Sequence, residues 1–175
     1  MQYIQYYQSP ISNMIMTGND TSLTGLWFIQ QRNTVPALSE EYLEKPLTVF
    51  NETRKWLDIY FSGKVPDFTP PLSMEATPFR KMVWEILLTI PYGQTTTYGE
   101  IAGKIAVKMG LARMSAQAVG QAVGHNPISI IVPCHRVIGA NGNLTGYAGG
   151  IDLKIQLLTL EKTDMSSMYL PAAKT

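Results

Sequence analysis

Residues 97–124 read TYGEIAGKIAVKMGLARMSAQAVGQAVG, and this stretch decides how the rest of the chain divides. Thr97 followed three residues later by Glu100 has the form of a capping box, in which a threonine hydroxyl satisfies the first free amides of a helix. Ile101, Ala102, Ile105 and Ala106 then recur at helical spacing, so a helix is predicted over 98–107 with that face in a core. Gly110 marks a short turn. A second helix is predicted over 115–124, with Ala116, Val119, Gly120 and Val123 on one face and Gln117 and Gln121 on the opposite one. Two helices joined by a short turn have helix-turn-helix form. An ordinary helical hairpin has the same pattern and is commoner, so pattern alone leaves both readings open.

Upstream, Thr77-Pro78 opens another helix, with Thr as N-cap and Pro at the first position. Phe79, Val83 and Leu87 line one face, Trp84 widens it, and the helix stops before Pro91-Tyr92-Gly93. Residues 65–72, VPDFTPPL, hold three prolines and can continue neither a helix nor a central strand, so the domain boundary is placed there. Before it, 2–7 (QYIQYY) and 23–31 (LTGLWFIQQ) have the aromatic and β-branched content of antiparallel strands. Leu47, Phe50, Leu57 and Phe61 keep helical spacing from Pro46 to Phe61, with Gly63 as a C-terminal cap. Downstream, Asn126-Pro127 ends the second helix of the pair, and Ile128–Val132 reads as a short strand. Gly139 to Gly150 is a glycine-rich loop. Asp152 to Leu160 is a last helix, with Leu153, Leu157 and Leu160 inward and Glu161 at its end. The tail, 162–175, has no periodicity and is expected to be extended or frayed. The fold class is therefore α+β: a small N-terminal antiparallel sheet with a helix, then a mostly helical C-terminal domain containing the helix-turn-helix.

The chain has 175 residues, 45% apolar and 15% charged, which is ordinary globular usage and enough to bury a core without covalent staples. One cysteine closes no intrachain disulfide, and one Cys with two His builds no usual tetrahedral zinc site. A lone thiol fits a reducing, cytosolic setting. The N-terminus lacks the basic and apolar regions of a signal peptide, and no apolar run approaches the ~20 residues of a membrane helix. Net charge is +1; residues 1–74 carry 5 basic against 7 acidic side chains, and residues 75–175 carry 9 against 6. That asymmetry is too small to point to a nucleic-acid partner by itself.

The sharpest chemical feature is Pro133-Cys134-His135-Arg136, which stands between a predicted strand and a Gly/Asn loop. A thiol reacts as thiolate, and a free cysteine near pKa ~8.5 is only slightly ionised at neutral pH. His135 and Arg136 could each raise that fraction. Consecutive residues of a strand point to opposite faces, so a direct Cys-His pair needs the chain to turn there or a water to bridge. Cys134 as a small buried hydrophobe and His135 as a structural histidine remain open on residue pattern alone.

The stretch Asn126-Pro127-Ile128-Ser129-Ile130-Ile131-Val132-Pro133-Cys134-His135-Arg136-Val137-Ile138-Gly139 resembles the active-site block of the O6-alkylguanine-DNA alkyltransferases, or methylated-DNA–protein-cysteine methyltransferases. The likeness continues through Gly146-Tyr147-Ala148-Gly149-Gly150, Pro91 to Gly99, and Trp84. It covers about residues 75–161; the N-terminal part matches only loosely, through Gly25-Leu26-Trp27-Phe28 and Phe61-Ser62-Gly63. The resemblance implies a ribonuclease-H-like supporting domain over 1–72, a DNA-binding and alkyl-acceptor domain over 75–162, and a tail over 163–175. It implies a single-use DNA-repair protein, a monomer, that takes an alkyl group from O6-alkylguanine in double-stranded DNA without a cofactor, and leaves O4-alkylthymine open as a second substrate; the zinc ligands that some relatives carry in the N-terminal domain are missing, so no metal is expected, and with no long apolar run no membrane partner is. The lesion is shielded inside a duplex, so it must be rotated out of the stack.

By the same resemblance Cys134 is the nucleophile, His135 takes its proton through a water, and Glu161 orients the histidine. Tyr98 donates to N3 of the leaving guanine, which otherwise departs as an anion. The Val137 carbonyl, Tyr147 and Ala148 line the base pocket, and Asn126 holds the turn before the active-site strand. Ser115, Ala116, Gln117, Gln121 and Arg136 are the expected DNA contacts. Gln117 stands where many relatives carry an arginine that fills the gap of the flipped base; it can occupy the stack but adds no charge. Two other readings compete: a lesion-binding protein without chemistry, disfavoured by Cys134, and a cysteine hydrolase or thiol-redox enzyme, disfavoured by the absence of a resolving cysteine.

Overall fold

The computed structural model describes residues 2–29, 42–147 and 149–170. The chain divides into two compact units, residues 1–75 with 127–131, and residues 76–126 with 132–175.

The first unit is a four-stranded sheet with one helix. Strands β1 (Tyr3–Gln8), β2 (Asn13–Gly18) and β3 (Leu23–Phe28) form an antiparallel meander, and β4 (Leu43–Glu44) adds to β1 in parallel, giving the order β3-β2-β1-β4. Tyr6 faces Ile15 across one ladder and Met16 faces Leu26 across the next. Helix α1 (Thr48–Phe61) buries Phe50, Thr53, Trp56, Leu57 and Tyr60. It starts two residues beyond Pro46, with no side-chain cap at Leu47, and it ends at Ser62, after which Gly63 takes the left-handed conformation (φ 86°). The strand expected over 23–31 ends at Phe28; residues 30 and 31 lie outside the described residues. Strand β2 had no counterpart in the sequence reading. Every residue from Met14 to Gly18 is buried, so no alternation marks it, and Met14 and Met16 alternate with its two β-branched residues, Ile15 and Thr17, with no aromatic among them.

The predicted strand at Ile128–Val132 is corrected. Only Ile128 bridges the sheet, through Leu26 N–H to Pro127 O (2.9 Å) and Ser129 N–H to Leu26 O (2.9 Å). Ile131 N–H then donates to Ser129 O at 2.8 Å, closing a γ-turn centred on Ile130, whose φ is 69°. Positive φ at a β-branched residue is a true outlier. β-propensity gave way to a tight reversal.

The second unit holds α2 (Pro78–Leu87), β5 (Thr96–Thr97), α3 (Tyr98–Met109), α4 (Ala116–Gly124), β6 (Val137–Ile138) and α5 (Ile151–Leu160), with β5 and β6 paired in parallel. Three side-chain caps explain where its helices begin. Thr77 accepts from Arg80 N–H (3.3 Å), Thr97 from Glu100 N–H (3.1 Å) and Ser115 from Ala118 N–H (3.2 Å). The capping box is half closed, since the Glu100 carboxylate accepts from Thr96 Oγ1 (2.7 Å) instead. Gly110, at φ 67°, ends α3. Val83, Trp84 and Leu87 of α2 are buried, as are Ile101 and Ile105 of α3 and Val119, Ala122 and Val123 of α4, and Trp84 Nε1 donates to Ala122 O at 2.8 Å. Ala116 is exposed rather than in the core, because α4 begins there and its first turn stands clear.

The tail is also corrected. Met165 and Met168 pack against Ile138, Leu144 and Leu158, and Tyr169 bridges Asn143. The segment to Leu170 is docked; 171–175 lie outside the described residues.

Candidate active site

Two local reversals bring Cys134 out of the chain. Cys134 N–H donates to Val132 O at 2.8 Å around Pro133 (φ −82°, ψ 67°), an inverse γ-turn. Cys134–Arg136 then form one turn of 3-10 helix. Successive side chains there are about 120° apart rather than on opposite faces, which removes the strand objection to a neighbouring Cys and His. Asn126 fastens the entry: its Nδ2 donates to Val132 O at 2.8 Å, and its side chain also hydrogen-bonds the Cys134 thiol.

His135 is fully buried, and its Nε2 meets Glu161 Oε2 at 2.5 Å. Glu161, the cap residue of α5, is 2% exposed. Its other oxygen accepts from Arg136 Nε (2.7 Å) and from Gly93 N–H (3.2 Å). Arg136 also donates through Nη1 to Ile90 O (2.7 Å) and lies 5.7 Å from the Tyr92 ring centroid. The Pro91-Tyr92-Gly93 turn therefore closes over the carboxylate. Burial acts to raise the Glu161 pKa, but the hydrogen bonds and charges of His135 and Arg136 outweigh it and hold the carboxyl at about 2.

Burial drives the His135 pKa below its ordinary value; Glu161 opposes this, and Arg136 and Lys154 reinforce it. The resting imidazole is therefore neutral. With Nε2–H assigned to Glu161, Nδ1 is left as the basic nitrogen, and among the described residues that buried atom has no hydrogen-bond partner. Burial likewise raises the Cys134 pKa, countered by Asn126, the Lys154 charge and backbone amides. The resting site thus holds a protonated thiol and, one residue on in the same 3-10 turn, a neutral imidazole.

Lys154 is the functional candidate that the sequence reading missed. Its ammonium is fully buried and donates to Val137 O (2.6 Å) and Thr145 O (2.7 Å). Burial brings its pKa down to about 8, and the Cys134 charge works the other way. A signal was present: Lys154, Leu157, Leu158 and Glu161 recur at i, i+3, i+4 and i+7, one face of α5. A lysine there reads as a solvated residue by type and as an inward one by position.

Tyr98 opens α3, and its hydroxyl lies 3.3 Å from Thr145 O and 3.4 Å from Gly146 O. Burial raises its pKa to about 12, so it remains a proton donor. A Cβ on Gly146 (φ 72°) would stand 2.8 Å from that hydroxyl, and Gly120 of α4 brings its backbone against the Tyr98 ring. Val137 is buried with its carbonyl held by Lys154, and Tyr147 is buried in the same loop. Ala148 lies outside the described residues. Ser115, Ala116, Gln117 and Gln121 are exposed at the start and outer face of α4. Arg136, expected at the DNA surface, is instead largely buried, and the contacts it makes go to Glu161 and Ile90 O, where it serves as the carboxylate's counter-ion. Among the described residues no group of three or more His, Cys, Asp or Glu is placed to hold a metal.

A buried thiol with a histidine–carboxylate base, on a unit that carries a helix-turn-helix, defines a cysteine-nucleophile protein of the nucleic-acid-binding kind. Residues 2–74 match the family model described as 6-O-methylguanine DNA methyltransferase, ribonuclease-like domain, and residues 78–163 match that of the DNA binding domain. A Mycobacterium tuberculosis protein named methylated-DNA–protein-cysteine methyltransferase is 44% identical over 163 residues, covering 93% of this chain and 94% of that one. A protein of the same name from Methanosarcina barkeri is 44% identical over 165 residues, 93% and 99% of the two chains. The crystal structure of Mycobacterium tuberculosis OGT in complex with DNA superposes with a TM-score of 0.79 at 43% identity, over 91% of this chain and 92% of that one. The chain belongs to the 6-O-methylguanine DNA methyltransferase family.

Proposed function

We propose that this protein repairs duplex DNA by moving the alkyl group of O6-alkylguanine onto Cys134, once per molecule. The observation that carries the reading is a buried thiol followed in the chain by a buried, neutral, Glu161-anchored His135, whose Nδ1 has no hydrogen-bond partner among the described residues. The lesion is rotated out of the helix into the pocket beside Cys134, at a cost of a few kcal/mol of lost stacking. The thiol proton passes to Nδ1, through a water in our reading. The sulfur attacks the alkyl carbon, the S–C bond forms as the C–O6 bond breaks, and the electron pair stays on guanine. Tyr98 releases the loop carbonyls and gives its proton to N3, so the base leaves neutral, and the phenolate recovers a proton from the His135 imidazolium through water. A thioether has no leaving group that this site can expel, so the protein is spent; no cofactor enters the sequence of steps.

Exposed Ser115, Ala116, Gln117 and Gln121 form the DNA-facing side of α4 in this reading, with Gln117 occupying the space of the flipped base. Residues 75–162 act as the DNA-binding and alkyl-acceptor domain and 1–72 as its support. We infer a monomer at work in a reducing cytoplasm, where its single thiol survives; no described helix is long and apolar enough to cross a membrane.

Incubation with duplex containing O6-methylguanine, followed by peptide mass analysis, tests this. The expected result is one added methylene on the Cys134 peptide, never more than one per protein, and none in Cys134→Ser. Binding without a mass change would support a lesion-binding protein instead, and repeated turnover on an ester or amide would support a hydrolase.

A further inference from the structure

Past α5 the chain reverses at Lys162 (φ 57°) and returns across the loop that follows β6. Tyr169 clasps that loop from both sides, donating N–H to Gly142 O (3.0 Å) and accepting at O from Leu144 N–H (2.9 Å). Met165 and Met168 anchor the returning segment in the cluster of Ile138, Leu144 and Leu158. The approach is close enough to require glycine: Gly142 has φ 88°, and a Cβ there would stand 2.1 Å from Ser167 O. Leu170 ends the segment on a largely apolar cavity of about 390 Å³ shared with Leu144, Thr145, Gly146, Tyr147 and Ile151.

We propose that Met165–Leu170 is a positioning strap for the base pocket, holding Thr145–Tyr147 in place for the entering guanine while taking no part in the chemistry at Cys134. Leu144 is where the strap meets the pocket loop. Its amide is held by the strap, and the next carbonyl, Thr145 O, is held from the inner side by Lys154 and Tyr98. The loop is thus pinned from both sides at consecutive residues. Gly139-Ala140-Asn141-Gly142-Asn143 has no long element of its own and two glycines, so without the strap its backbone would sample many more conformations. The proposal rests on the guanine-pocket reading above.

Full-length Met165→Ser/Met168→Ser, with Met165→Leu/Met168→Leu as the conservative partner, tests it through three measurements. These are amide exchange, the rate of transfer from O6-methylguanine duplex, and Cys134 alkylation by iodoacetamide. In the serine variant, protection is lost at Met168 and Tyr169 and at Leu144 and Thr145 together, and transfer slows about tenfold, the scale of a modest misplacement of the reactants. Iodoacetamide reactivity stays at the parental level, because the His135–Glu161 pair is untouched, and the leucine variant restores the transfer rate. Release of the tail with parental loop protection overturns the proposal. So does an equal fall in transfer and iodoacetamide reactivity, which would make the segment a general support of the site. Should the serine variant not fold, exchange on the unmodified protein decides: Leu144 and Thr145 must open together with Tyr169, and independent opening sinks the idea. Absence of methyl transfer in the unmodified protein would count against the function alone, since the exchange arm still judges the strap.

Discussion

The two units bury different kinds of residue. In the sheet unit the core is Met14, Met16, Phe28, Phe50, Leu57 and Tyr60, and its buried polar groups are hydroxyls such as Thr53, which donates to Val49 O (2.7 Å). In the second unit four ionisable side chains, His135, Arg136, Lys154 and Glu161, are at most 8% exposed. Burying charge costs several kcal/mol per ion before any pairing is counted, and apolar replacements of such pairs are often no less stable. Stability therefore explains the first core and not the second. The second makes sense as a device that keeps a thiol, a base and their counter-charges dry.

Glu161→Gln tests this difference hardest. It removes the anchor of His135 and leaves Arg136 buried without its partner, so transfer should fall by about 10²–10³, the loss seen when one preorganised group is removed. Stability of the second unit should drop by roughly 3–5 kcal/mol. Single-turnover rates and urea unfolding measure both. The acid limb provides a check of sign. A carboxyl held at about 2 in the folded protein stabilises it above the unfolded-state pKa and loses that contribution as pH falls from about 4.5 towards 2. The Gln variant should lack that limb. Phe50→Ala in the sheet unit is the counterpart. It should cost about 3–5 kcal/mol by cavity formation, yet leave iodoacetamide reactivity of Cys134 unchanged below the melting transition.

A smaller effect belongs to Lys154. Its folded pKa of about 8 lies below the ordinary 10.5, so the unfolded chain binds more protons between those values and stability should rise with pH from about 8 to 10. Cys134, with its pKa raised, contributes with the opposite sign over the same range. The measurement therefore belongs in a Cys134→Ser background, where Lys154→Met should abolish a gain on the order of 2 kcal/mol. A flat profile in that background would show that the ammonium is better solvated than its two carbonyl contacts imply.

The same contrast governs what could be read from sequence. Helix starts were legible because they are local: Thr77, Thr97 and Ser115 each cap with their own side chain. Strand β2 was not, since a strand buried on both faces carries no period. Ile128–Val132 misled because only Ile128 bridges the sheet, and the β-branched residues that follow go into a γ-turn rather than a ladder. Cys134, His135, Glu161 and Tyr98 were found through a family pattern, and the structure brings His135 and Glu161 into contact. Arg136 and Lys154 lie 17 to 46 residues from the Val137, Glu161 and Ile90 groups they meet, and Lys154 lies 9 from Thr145, and no local rule reports such pairing. A charged type in a buried position is legible only as a conflict between residue and periodicity.

The smallest expected effect tests which unit meets DNA. Binding to duplex weakens with salt in proportion to the phosphates neutralised, with a slope of about −0.9 per contact. Gln117 is exposed on α4, and under the proposed function Gln117→Arg places one cation where the flipped base leaves a gap. The slope of log affinity against log salt should steepen by about one contact's worth, with tighter binding at low salt and convergence at high salt. Gln8→Arg puts the same charge on an exposed site at the end of β1 in the sheet unit, and there the slope should stay parental. Net charge changes equally in both variants, so any difference between them reports position alone. Equal steepening in both would mean that the added charge acts through the overall field, and that α4 holds no privileged place on the duplex.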